Sequence, residues 1–144
     1  MKTRDAMLQY QKVLADAGTL IEELNLVDPI SALYLEFEAV NGTTSNEDNF
    51  ISDVITKIEI VDGSEVLYSL SQAQLEALHF YKTGKAPVMF PSEWASGTQR
   101  HGVNLLFGRS LWDREYALDL TKFKNPQLKI TSNLAAVRAV SATT

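Results

Sequence analysis

The hydrophobic period of the chain changes several times, and each change marks an element. Met7, Tyr10, Leu14 and Ala17 recur every three or four residues, which predicts an amphipathic N-terminal helix over residues 1–18, ended by Gly18. A helix this short is marginal alone and must dock on its own domain or on a neighbour. The expectation is an arm that serves assembly and can be removed without loss of the fold. From Thr19 the period falls to two, and residues 19–27 predict a strand ended by Asp28-Pro29. Residues 30–40 alternate most cleanly: Leu33, Leu35, Phe37 and Ala39 share one face, and Tyr34, Glu36 and Glu38 the other, as in a strand with one buried side. Asn41-Gly42 closes it and residues 43–49 form a polar loop. Val54, Thr56, Ile58 and Ile60 then predict an inward row opposed to Ile55, Lys57 and Glu59. After Asp62-Gly63 the alternation resumes at Val66, Tyr68 and Leu70, which is a strong hairpin signal.

Ser71 opens a helical excursion. Ser71 and Gln74 have the spacing of a capping box, Leu70 and Leu75 occupy the hydrophobic-staple positions, Leu75, Leu78 and Tyr81 form the inward stripe, and Gly84 ends the run. Residues 85–102 contain Pro87, Pro91, Gly97 and Gly102 with few periodic positions and predict a long surface loop, a kind that is usually functional or disordered. Val103, Leu105 and Phe107 alternate again. Residues 111–124 are irregular, with Trp112, Tyr116, Leu118, Leu120 and Phe123 as apolar anchors. Residues 127–131 predict a strand with Leu128 and Ile130 inward, and residues 134–140 fit either a last strand or a short helix. Short alternating strands with one helical excursion predict an all-β fold, a jelly-roll β-sandwich or a barrel. A jelly roll needs about eight strands, of which this pattern supplies six.

At 144 residues and 45% hydrophobic, the chain is large enough for one self-sufficient core. The expected division is an arm over residues 1–18 and a sandwich over residues 19–144. The absence of cysteine excludes disulfide scaffolds, thiol nucleophiles and cysteine metal sites. Lys2, Arg4, Asp5, Lys12 and Asp16 interrupt the N-terminal segment, so it does not read as a signal peptide, and no stretch approaches the ~20 apolar residues of a membrane span. The net charge of −5 divides unevenly: residues 1–76 hold 4 basic and 14 acidic residues, and residues 77–144 hold 9 and 4, or −10 and +5. Three arrangements fit: complementary faces within one domain, an acidic patch of one copy meeting a basic patch of the next, or a basic half facing nucleic acid. The scatter of the Lys and Arg residues speaks against specific nucleic-acid contact.

Reactive constellations are scarce. His79 and His101 are the two histidines; His79 sits on the capped helix and reads as structural, and His101 sits in the long loop beside Arg100, which disfavours its protonated form. There is no G-x-S-x-G elbow and no glycine-rich phosphate loop. Glu36 and Glu38, about 7 Å apart on one strand face, read as a solvated face rather than a glycosidase pair. Glu47 and Asp48 lack the spaced ligands of a calcium loop, and Asp113 and Glu115 flank Arg114 as surface ion pairs. No catalytic residue, cofactor site or metal site is assigned. Among the aromatics, Trp112 reads as core beside Tyr116 and Phe123. Trp94, flanked by Pro91, Ser92, Glu93 and Ser96, reads as exposed, a contact for a neighbouring subunit or a sugar ring. Trp94, Arg100 and His101 are the candidate partner contacts.

The run from Val61-Asp62-Gly63 to Ser69-Leu70-Ser71, with the helix ending near Tyr81-Lys82-Thr83-Gly84, resembles the hairpin and helix of double-jelly-roll major capsid proteins of tailless icosahedral phages. So do Phe107-Gly108-Arg109-Ser110-Leu111-Trp112-Asp113, Tyr116-Ala117-Leu118-Asp119 and Lys124-Asn125-Pro126-Gln127-Leu128-Lys129-Ile130. The likeness covers about residues 19–133 and lies in fold pattern, with no reactive motif. It implies a structural subunit of an icosahedral shell, made in the host cytoplasm and resident in the virion, that self-assembles through lateral contacts. Family subunits carry two jelly rolls and form pseudo-hexagonal trimers. This chain holds one roll, the first, so it is a fragment, a partner to a second chain, or a single-roll relative. A carbohydrate-binding β-sandwich with Trp94 as its platform is the alternative.

Overall fold

Period-two alternation gives each strand one apolar face, and two such faces can be buried only against each other. The computed structural model, which describes residues 4–45 and 50–134, shows that solution. Among the described residues there are seven strands, β1 (Ala17–Glu23), β2 (Ala32–Val40), β3 (Ile55–Asp62), β4 (Glu65–Leu70), β5 (Val88–Phe90), β6 (Thr98–Leu106) and β7 (Pro126–Asn133). They form a four-stranded sheet in the order β1-β7-β3-β4 and a three-stranded sheet in the order β2-β6-β5. Every pairing is antiparallel. Strand β1 pairs with β7, Ala17 opposite Asn133 through Glu23 opposite Gln127. Strand β2 pairs with β6, Ala32 opposite Leu106 through Val40 opposite Thr98. This nested pairing, a chain doubled back on itself and rolled, is consistent with a jelly roll.

The core lies between the sheets. Ile58, Ile60, Leu128 and Ile130 come from one side, Leu33, Phe37, Val103 and Leu105 from the other, and Leu24, Ile30, Ile51, Leu75 and Leu120 from the helices and connecting segments around them. Each fully buried apolar side chain of this size contributes about 1.5–3 kcal/mol. The inward row expected at Val54 and Thr56 is displaced. Val54 belongs to a single helical turn, α1 (Ile51–Val54), and the register shifts between Ile55 and Lys57. That bulge turns Ile55 inward and leaves Thr56 exposed, after which Ile58 and Ile60 resume the core face. The β3–β4 hairpin turns at Gly63 with φ +60°, and Asp62 beside it accepts backbone bonds from Lys124 at 3.1 Å and Asn125 at 2.6 Å, fixing the entry to β7.

The second helix, α2 (Gln72–Thr83), forms where its caps predict. Ser71 Oγ accepts from the Gln74 N–H at 3.2 Å, Gln74 Oε1 accepts from the Ser71 N–H at 3.0 Å, and Gly84 closes the helix at φ +69°. Its inward stripe is Leu75 with Leu78, whereas Tyr81 is exposed. The N-terminal helix does not form. Residues 4–16 hold no helix, and β1 begins at Ala17, inside the expected arm. Leu8 and Leu14 pack on the core while Met7, Tyr10 and Val13 stay exposed. Ser132 Oγ donates to the Ala15 carbonyl at 2.8 Å and the Leu134 N–H donates to the Asp16 carbonyl at 2.6 Å. Partners for the backbone carbonyls of Ala15 and Asp16, on β7 and just beyond its end, therefore outcompete a short helix that has none outside itself.

The loop expected over residues 85–102 is also partly regular, containing β5 and the first half of β6. Its polar inward residues, Gln99 and His101, hid the alternation. The polar loop around Glu47 and Asp48 and the tail beyond Leu134 lie outside the described residues.

Candidate partner-contact site

The segment between β5 and β6 is held by side chains from across the sheet. Asn41, the residue after β2, donates from Nδ2 to the carbonyls of Ser92 at 2.6 Å and Trp94 at 3.0 Å. Gln99 Nε2 donates to Asn41 Oδ1 at 2.9 Å and to the Ser92 carbonyl at 3.2 Å. Backbone bonds from Asn41 to Gly97 and from Ser96 to Gly42 complete the clasp. Gly97 permits this close packing, since a Cβ there would meet Ser92 Oγ and lie 3.0 Å from the Trp94 carbonyl. Above this fixed backbone the Trp94 side chain is 81% exposed. An indole presented on a fixed backbone loses little conformational freedom on contact, which is the property of an interface anchor.

Arg100 and His101 do not lie on one surface. Successive residues of a strand point to opposite faces, and β6 carries both. Arg100 is outward, with its Nε 2.7 Å from Glu38 Oε2 on β2. His101 is inward and only 1% exposed, with Nδ1 3.3 Å from Glu76 Oε1 on α2. Gln72 Nε2 donates to the same carboxylate oxygen at 3.0 Å. His101 thus leaves the set of candidate partner contacts, and its expected electrostatic neighbour is replaced, because Arg100 lies across the strand and Glu76 faces the ring.

The outer face of the small sheet continues from Arg100. Register places Glu38, Arg100 and Phe90 in one row and Glu36, Gly102 and Val88 in the next. Tyr34 lies across Gly102, where any Cβ would strike its ring, and its hydroxyl donates to Glu36 Oε2 at 3.0 Å. Burial of the ring, with Glu36 beside the hydroxyl, raises the Tyr34 pKa. Val88 and Phe90 are exposed beside this pair. The expected loop concealed them, although an apolar triplet bounded by Pro87 and Pro91 is a strand signal.

Trp112 corrects a second expectation. It is 67% exposed rather than core, at the tip of a loop organised by Asp113. Asp113 Oδ2 accepts from the Arg109 side chain and backbone, both at 3.0 Å, and Oδ1 accepts from the backbone of Glu115 at 3.1 Å and Tyr116 at 3.4 Å. These bonds, led by the Arg109 guanidinium, lower the Asp113 pKa to about 2. Arg109, not the adjacent Arg114, pairs with Asp113 and with Glu115, and lies 4.8 Å over the Tyr116 ring. Among the described residues no group of three or more His, Cys, Asp or Glu could hold a metal ion, and no helix is long and apolar enough to cross a membrane.

Neither a protein-family model nor a curated protein sequence matches the chain. A solved structure does, the crystal structure of the STIV MCP, the major capsid protein of an archaeal virus. The TM-score is 0.59 at 18% identity, over 81% of this chain and 38% of that one. The two share a fold. The chain spans little more than a third of the neighbour's length.

Proposed function

We propose that this chain is a structural subunit of a viral shell, built on one jelly roll and assembling through lateral contacts with other capsid subunits. The observation that carries the reading is the nested pairing of β1 with β7 and β2 with β6, together with the likeness of that fold to a viral major capsid protein. The surface suits it: Trp94, Trp112, Phe90 and Tyr81 are exposed, and aromatic residues of this kind anchor protein interfaces. Trp94 with Arg100 is the first contact patch. The implied partner is a further capsid subunit in a trimeric capsomer, without sequence-specific nucleic-acid contact, and the implied location is the virion. Electron microscopy of the purified protein at rising concentration is the test. Rings, sheets or shell pieces of constant spacing are expected, and dispersed single particles throughout would overturn the reading.

The fixed, exposed indole of Trp94 also favours a second reading, a carbohydrate-binding β-sandwich in which sugar rings stack on it. Binding on a glycan array that Trp94→Ala abolishes would move this reading ahead, and an array without binding would remove it.

A further inference from the structure

At the end of β6 remote from Trp94 lies a cavity of about 350 Å³, walled by Tyr68, Phe107, Ala117 and Phe123, with Lys82 and Lys122 among its lining. Its size is at the small end of the range of ligand pockets, roughly 300–1,000 Å³, and suits one large side chain. Lys82 is fixed there, its Nζ donating to the Leu106 carbonyl at 2.8 Å, and Lys122 Nζ lies 3.8 Å from Asp119. The Tyr68 hydroxyl is buried and has no hydrogen-bond partner among the described residues, although buried hydroxyls normally have one.

We infer that this cavity receives Trp94 of a second copy of the chain, in a head-to-tail contact. The inference rests on the proposed role as a self-associating subunit. An indole supplies what the cavity lacks: flat aromatic surface against Phe107 and Phe123, a face for the two ammonium groups, and an N–H donor for the orphaned Tyr68 oxygen. Charge agrees mainly through Lys82, whose bonded partner is a neutral carbonyl: Glu93 beside Trp94 is drawn to it, whereas Lys122 is shared with Asp119, which also lines the cavity. The chain's own Trp94 cannot fill the site. Trp94 precedes Thr98 at one end of β6, while the cavity is lined by Leu106 and Phe107 at the other, a separation of about 26 Å at ~3.3 Å per residue. Knob and cavity on opposite ends of one molecule make a heterologous contact, which closes into rings or extends into arrays.

The test is a mixing experiment followed by sedimentation velocity. Trp94→Ala removes the knob, and Ala117→Phe fills the cavity. Each alone is expected to weaken self-association by about tenfold or more, as loss of a central aromatic anchor does. Mixed, they are expected to form a one-to-one dimer and nothing larger, because each retains the half that the other lost. Self-association of Trp94→Ala at wild-type strength would overturn the inference and leave the shell reading standing, as would a mixture of two folded variants that stays monomeric. A wild-type chain that is monomeric at every concentration would overturn both. If Ala117→Phe fails to fold by circular dichroism, the surface change Lys122→Glu replaces it: it should weaken association, and the double variant Glu93→Lys/Lys122→Glu should regain it. A double variant no better than Lys122→Glu alone would count against the contact.

Discussion

At the residue scale, the buried polar cluster under α2 makes a direct prediction. Glu76 is the acceptor for both Gln72 and the His101 ring, and Gln72 and His101 are almost wholly inaccessible. Glu76→Ala leaves both without that acceptor and is expected to cost about 1–3 kcal/mol, measured by urea unfolding. Glu76→Gln, which keeps an acceptor, should cost less. Asp113 makes a second prediction, about pH. The Arg109 guanidinium and three backbone N–H groups lower its pKa from the ordinary 3.8 to about 2. A group titrating lower in the folded chain than in the unfolded one stabilises the fold fully above the unfolded value, and that contribution is lost as pH falls through the folded one. The loop should therefore hold its structure at pH 4 and loosen between pH 3.8 and about 2. Carbon-detected NMR titration of the Asp113 carboxyl should give a midpoint near 2, and a midpoint near 3.8 would contradict the network.

At the element scale, the N-terminal arm changes its role. Because Leu8 and Leu14 pack on the core and residues 15 and 16 bond to β7 and its end, the arm belongs to the fold rather than serving assembly alone. Leu14→Ala is expected to lower stability by about 1–2 kcal/mol, in proportion to the apolar surface it re-exposes, read from denaturant midpoints. An unchanged midpoint would restore the dispensable arm. Spacing alone could not settle this. Leu14 fits a helical stripe, yet the deciding partners, Ser132 and Leu134, lie more than a hundred residues away. Where the signal is local, the sequence is legible: the Ser71–Gln74 cap, the Asp62-Gly63 turn and the alternation of β2 all stand as the pattern predicts. Where a strand buries polar side chains, as β6 does at Gln99 and His101, or bulges, as β3 does at Thr56, binary patterning fails. The contact site divided the same way. The flanking residues forecast the exposure of Trp94, whereas the burial of His101 depended on a helix docked beneath its strand, and Trp112 turned outward because Asp113 organised its loop.

At the scale of the whole molecule, a rolled sandwich, exposed aromatics at several places on its surface and an uneven charge distribution together support the proposal that this chain associates with copies of itself or with related subunits. The residue counts give −10 in residues 1–76 and +5 in residues 77–144. The Arg100–Glu38 ion pair joins the two halves, while Arg4–Asp28, Lys12–Glu22 and Arg109–Asp113 each stay within one. Charge that is not matched within a copy is available to draw neighbours together, and salt screens such attraction over about 10 Å at 0.1 M. The most direct test is the mass of the purified chain by light scattering across a concentration series at low and high salt. A self-associating subunit is expected to give a mass that rises with concentration above that of one chain and falls back as salt is added. A single-chain mass at every concentration and salt level would contradict it.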